Sequence, residues 1–188
     1  MENSVPAYPT NLPIAVDLFV SKKHPGLPRG VLGFADSTGK ILFTVNRPSS
    51  KSSPTTKKLL LDSAGNPLIS VCRHQGGSWE GFRGDDADNN LLFRVERTRN
   101  QFTRTELEVF LHGVNREDSS PDFKVRGCRF QRSCFIYRGD TIVAQTSLMY
   151  KLHQIYAGRS KFRVTLFPGS NDIDLLLALV VIFLDGRK

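Results

Sequence analysis

Residues 175–184 read LLLALVVIFL, ten apolar side chains without a polar interruption. Ser170 or Asn171 can cap the segment from the front, Asp172 and Asp174 follow, and Gly186, Arg187 and Lys188 close it. Carboxylates in a first turn suit the positive end of a helix dipole, and a glycine just past the last turn suits a C-terminal cap. The pattern predicts a helix of about twelve to fourteen residues. Such a helix reaches about 20 Å, short of the roughly 30 Å of hydrocarbon that a membrane span must cross. Val180, Val181 and Ile182 are β-branched, so a buried strand pair competes with the helix. If it is a helix, being apolar on every side requires burial on every side.

The rest of the chain offers the means of that burial. Short apolar runs recur about every ten residues, separated by turn signals, as in sandwiches and barrels. Val31–Phe34 and Ile41–Val45 flank Asp36-Ser37-Thr38-Gly39; Leu59–Leu61 and Leu68–Cys72 flank another turn. Trp79–Arg83 and Leu91–Val95 are joined by an acidic loop, and Phe135–Tyr137 and Thr141–Gln145 by Arg138-Gly139-Asp140. Phe123–Arg126 and Phe162–Phe167 alternate apolar with polar residues. An all-β chain with one all-apolar helix implies that the helix lies inside the sheet.

With 188 residues, 39% of them hydrophobic, the chain is long enough to bury a core without disulfide or metal staples. Residues 1–12 read as a flexible tail and 13–188 as one domain. The Ser- and Lys-rich stretch from Arg47 to Lys58 reads as an exposed loop. Three cysteines, an odd count with no C-x-x-C pair, argue against a disulfide framework and a zinc site. The N-terminus lacks the positive region and apolar core of a signal peptide. These features predict an intracellular, cytoplasmic monomer that holds no cofactor and does not span a membrane.

The segments Trp79–Arg83, Leu91–Val95 and Leu107–Leu111 resemble, in order and spacing, the middle of plant LURP-one-related proteins. So do Phe123–Gly127, Arg132-Ser133-Cys134, Ile142–Gln145, and Phe162–Pro168 followed by the apolar helix. The resemblance covers roughly residues 13–185, with the region between Lys22 and Gly30 and the Arg47–Lys58 loop matching least. It implies a fold like the tubby C-terminal domain and phospholipid scramblases: a closed antiparallel β-barrel of twelve strands around a central C-terminal helix. It also implies a link to plant defence and no defined biochemical activity. Tubby domains bind phosphoinositides through basic residues, but no residue of this chain is matched to those by the resemblance.

Enzyme signatures are absent from the sequence. Gly77-Ser78-Trp79-Glu80-Gly81 has its serine one place too early for a nucleophile elbow. Neither a phosphate-binding glycine loop nor a zinc-protease motif occurs. His24, His74, His112 and His153 are scattered, and the Asp85–Asn90 run lacks the spacing of a calcium loop. These readings favour a non-enzymatic module.

The net charge of +8 permits attraction to phosphates on lipid or nucleic acid. Lys124 and Arg126 share one face of an alternating strand, and Arg129 and Arg132 follow closely. Arginine's planar fork grips phosphate bidentately. These four residues are the candidate anion or lipid-headgroup site; an ordinary solvated face is the alternative, because alternation alone turns polar residues outward. Three functions stay open: a module binding anionic phospholipid, such as a phosphoinositide, or a protein partner; a nucleic-acid-associated regulator; and an enzyme working at the barrel rim.

Overall fold

The computed structural model describes residues 14–47, 56–85, 90–101, 103–113, 120–149, 161–169 and 172–185. The N-terminal tail, the helix caps at Ser170, Asn171 and Gly186, most of the Arg47–Lys58 loop and the centre of the acidic loop lie outside these residues.

Twelve strands run as β1 (Val16–Ser21), β2 (Leu32–Ala35), β3 (Ile41–Asn46), β4 (Thr56–Asp62), β5 (Pro67–Arg73) and β6 (Trp79–Arg83). The second half comprises β7 (Leu91–Asn100), β8 (Thr105–Leu111), β9 (Phe123–Cys128), β10 (Ser133–Arg138), β11 (Thr141–Leu148) and β12 (Lys161–Leu166). Each pairs antiparallel with its neighbour in sequence, and β1 closes the barrel against β12 from Val16↔Leu166 to Ser21↔Lys161. Closure leaves no strand edge exposed for pairing with another chain. Every odd-numbered strand ends, and every even-numbered one starts, at the same end of the barrel.

The helix α1 (Ile173–Asp185) fills the interior, as its composition requires. All nine residues from Leu175 to Phe183 are buried. About eight strands make an interior that side chains alone can fill, so twelve leave a wider bore. A helix some 10–12 Å across, side chains included, occupies that bore. Inward residues from the strands, among them Val20, Phe34, Val71, Phe93, Val125 and Val164, pack in the same core as the helix. Full burial of each large aliphatic or aromatic side chain is worth roughly 1.5–3 kcal/mol.

One expectation is corrected at β4. Thr56, Lys57 and Lys58 belong to the strand rather than to a loop, and Lys58 is buried. Its alternation places Lys58 on the inner face with Leu60, and Asp185 of the helix neutralises its ammonium there. A lysine in a core phase looks like a loop residue until its partner, 127 positions away, is known.

Candidate functional site

In a β-barrel, residues two apart on a strand face the same side. On β1 the inward phase runs Leu18, Val20 and next Lys22; on β3 it ends Val45, Arg47. Ile69 and Val71 lead to Arg73 on β5, and Phe93 and Val95 lead to Arg97 on β7. β9 carries Phe123 and Val125, then Gly127, then Arg129 just past its end. Strands running the opposite way begin with the cation: Lys58 precedes Leu60 on β4, and Arg132 precedes Cys134 and Ile136 on β10. Seven inward phases therefore end in a lysine or arginine at one end of the barrel.

These cations ring the end of the barrel at which α1 terminates. A cavity of about 610 Å³ opens there, lined by Lys22, Arg29, Arg47, Lys58, Arg73 and Arg132 together with the last turn of the helix. Among the described residues, Asp185 is the one carboxylate in this lining. A second cavity, of about 500 Å³, adjoins it through the shared residues Thr56 and Arg73, and is bounded by Arg97 and the His74–Gly77 turn. The helix C-terminus contributes about half a negative charge, and Asp185 a full one.

Burial first, and then one another's charge, suppresses the ionisation of these cations. Burial pushes the Arg129 guanidinium down to about 10, and the charges of Arg97 and Arg73 add to that effect. Burial first, and then Arg73, lowers Arg97. Lys58 is lowered by burial despite its bond to Asp185, with Arg47 and Lys22 opposing its charge as well. Arginine near 10 is still charged at neutral pH, so the mouth holds concentrated positive charge in a partly desolvated place, where electrostatic attraction is strongest.

Arg132 adds a conformational observation. Its φ of 53° makes it the one non-glycine residue with positive φ among the described residues. The left-handed region costs an ordinary side chain roughly 1–2 kcal/mol. The buried Thr146 hydroxyl stabilises this turn, donating to the Arg132 carbonyl at 2.8 Å and accepting from the Cys134 N–H at 2.9 Å. Strain of this kind persists where surrounding structure enforces it, and it clusters at functional sites.

The four basic residues singled out from the sequence divide between two places. Lys124 and Arg126 lie on the outer face of β9, in register with Glu108 and Glu106 of β8. Arg126 also approaches the Tyr137 ring, with 6.0 Å to its centroid, and Glu106 pairs with Arg104 at 2.7 Å. That face is a balanced cross-strand charge ladder. Arg132 lines the mouth, and Arg129 stands beside it, close enough to the Arg73 and Arg97 charges to feel both. Sequence reading missed Lys22, Arg47, Lys58 and Arg73 at this position. The signal was present: an inward apolar phase on several strands that ends, each time, in a cation.

Among the described residues no cluster of His, Cys, Asp and Glu could hold a metal ion, and no helix is long and apolar enough to cross a membrane. His74 bonds Glu80 at 2.9 Å, and Glu80 in turn binds Arg94 on the outer wall.

A profile of the LURP-one-related family matches residues 16–185. Protein LURP-one-related 7 of Arabidopsis thaliana is 51% identical over 174 residues, covering 92% of this chain and 91% of that protein. Protein LURP1 of Arabidopsis thaliana is 30% identical, covering 94% of this chain and 86% of its own length. An X-ray structure of an Arabidopsis thaliana protein superposes with a TM-score of 0.64 at 31% identity, covering 92% of this chain and 91% of that one. Matched along nearly its whole length by that family's profile and by these relatives, the chain belongs to the LURP-one-related family.

Proposed function

We propose that this protein is a non-enzymatic binding module whose open barrel end captures phosphorylated anions, the head group of an anionic phospholipid foremost among them. One observation carries the reading: separate strands deliver inward-phase cations to a single cavity whose lining, among the described residues, holds one carboxylate. Solvated surface charge needs no such convergence. Phe130, 43% exposed in the β9–β10 turn two residues before Arg132, offers an apolar contact at the same turn, suited to a bilayer surface. The link to plant defence that the family resemblance implies fits a regulatory module that recognises a membrane signal.

Co-sedimentation with liposomes tests the proposal, with and without a phosphoinositide and at low and near-physiological salt. Binding selective for the phosphorylated head group should survive the higher salt, and Arg132→Gln together with Lys58→Met should remove it. Equal indifference to both liposomes at low salt would sink the lipid reading. Capture of DNA that matches the liposome signal and collapses with salt would instead mark the charge as unselective.

A further inference from the structure

Trp79, the chain's single tryptophan, lies fully buried on the inner face of β6, in register with Arg73 and Val95. Two guanidinium groups lie over its ring, Arg97 at 4.9 Å and Arg73 at 5.8 Å from the centroid. Gly77 borders the same Arg97 guanidinium, whose carbon a Cβ added at that position would meet at 3.6 Å, an ordinary van der Waals contact. An arginine stacked on an aromatic face has less freedom left to lose on binding than one free in solvent. The Nε and Nη2 of Arg97 are buried and make no hydrogen bond with the described residues. These nitrogens form one edge of the guanidinium, the edge that grips an oxyanion with two parallel bonds. Buried donors of this kind call for an acceptor, and among the described residues the lining of the adjoining cavity of about 500 Å³ has no carboxylate to provide one.

We propose that Arg97 and Arg73 form a second anion subsite, contiguous with the first through Thr56 and Arg73, so that the barrel mouth prefers ligands carrying two phosphoryl groups over ligands carrying one. This rests on the reading of the mouth as an anion site and adds the ligand's valence. The stacking on Trp79 preorganises one phosphate contact, the Lys58 and Arg132 side of the larger cavity supplies the other, and Arg73 lines both cavities. A second phosphoryl group also relieves the mutual repulsion of Arg73, Arg97 and Arg129.

Titrations followed by Trp79 fluorescence test it, because the proposed subsite lies against that ring. The probes are inositol monophosphate and inositol trisphosphate in solution, and vesicles bearing a singly or a multiply phosphorylated inositol head group. Wild-type protein should favour the multiply phosphorylated probe. Arg97→Gln should lower that affinity by about tenfold or more, the worth of one charge-assisted hydrogen bond, while changing monophosphate affinity less than about twofold. Arg97→Lys, which keeps the charge and the fold but loses the planar fork, should lose the same preference. Arg94→Gln removes one outer-wall charge and should leave the preference intact. Equal losses for both probes in Arg97→Gln, or the same loss in Arg94→Gln, would reduce the effect to bulk charge and overturn the subsite while leaving anion binding standing. Binding of no probe by wild-type protein would overturn both. Arg97 dependence seen only with vesicles would assign the ligand to a lipid, and dependence seen with the soluble probe alone would assign it to a free polyol phosphate; either supports the subsite.

Discussion

Lys58 Nζ lies 2.5 Å from a carboxylate oxygen of Asp185, tying the fourth strand to the last turn of the helix. Arg47 reaches the same oxygen at 3.4 Å. Among the described residues Asp185 is therefore the anion at the mouth, and a ligand anion entering there would share its cations.

Replacing it should separate stability from binding. Asp185→Asn leaves Lys58 close to Arg47 and Lys22, whose charges already oppose its own. The loss should be about 1–3 kcal/mol, below the figure for a fully enclosed pair because Arg47 is 66% exposed. Anion affinity should rise, since a competing carboxylate is gone. Inorganic phosphate should then raise the melting temperature of Asp185→Asn more than that of the wild type. A smaller phosphate-dependent shift in the variant would mean that ligand anions do not meet these cations.

The helix makes a harsher demand. Val180 is fully enclosed between barrel and helix neighbours, so Val180→Asp buries a carboxylate with no partner and should abolish folding. The expected cost of several kcal/mol approaches the roughly 5–15 kcal/mol that holds a domain together. Leu177→Ala, at another fully buried position, should cost about 2–5 kcal/mol and leave a folded protein. Circular dichroism melts read both, and a cooperatively melting Val180→Asp protein would contradict the central position of the helix.

What the sequence made legible follows from range. Periodicity and turn residues act within a few positions, so most strands and the all-apolar 175–184 segment could be read locally, though not the closing strand β1, and burial on every side then favoured placing the helix inside. The outer face of β9 was also local: Lys124 and Arg126 alternate with Phe123 and Val125. The mouth was not, because Lys22, Arg73 and Arg97 come together only through barrel closure. Lys58 was misread for the same reason, since its counter-charge lies at the far end of the chain. Each of these residues looks like the polar end of a strand when taken singly.

Cys134 gives a test in alkaline solution. Its thiol is fully buried and pushed up to about 12, chiefly by burial. In the unfolded chain it ionises near 9.0. A group whose native pKa is raised keeps its proton when the unfolded chain has released it, so its contribution is intact below pH 9 and falls away as pH rises toward 12. The slope should reach about 1.4 kcal/mol per pH unit. Cys134→Ala should remove this component, seen as a smaller decline in denaturant stability between pH 9 and 11 than in the wild type. Parallel declines would show that the thiol ionises in the native state.

Arg132 presents a trade between fold and site. Glycine adopts its left-handed φ of 53° without the steric cost that a side chain incurs. Arg132→Gly keeps the turn and the Thr146 bond to the backbone carbonyl, but removes a cation from the cavity lining. Thermal stability should stay level or rise by up to about 1 kcal/mol, while affinity for inositol trisphosphate should fall about tenfold. Thr146→Val works through the backbone instead, leaving the buried Cys134 N–H without its acceptor and costing about 1–3 kcal/mol. The two variants together separate the side chain's role from the turn's. If Arg132→Gly lost stability and kept its affinity, the strained arginine would be serving the fold rather than the ligand.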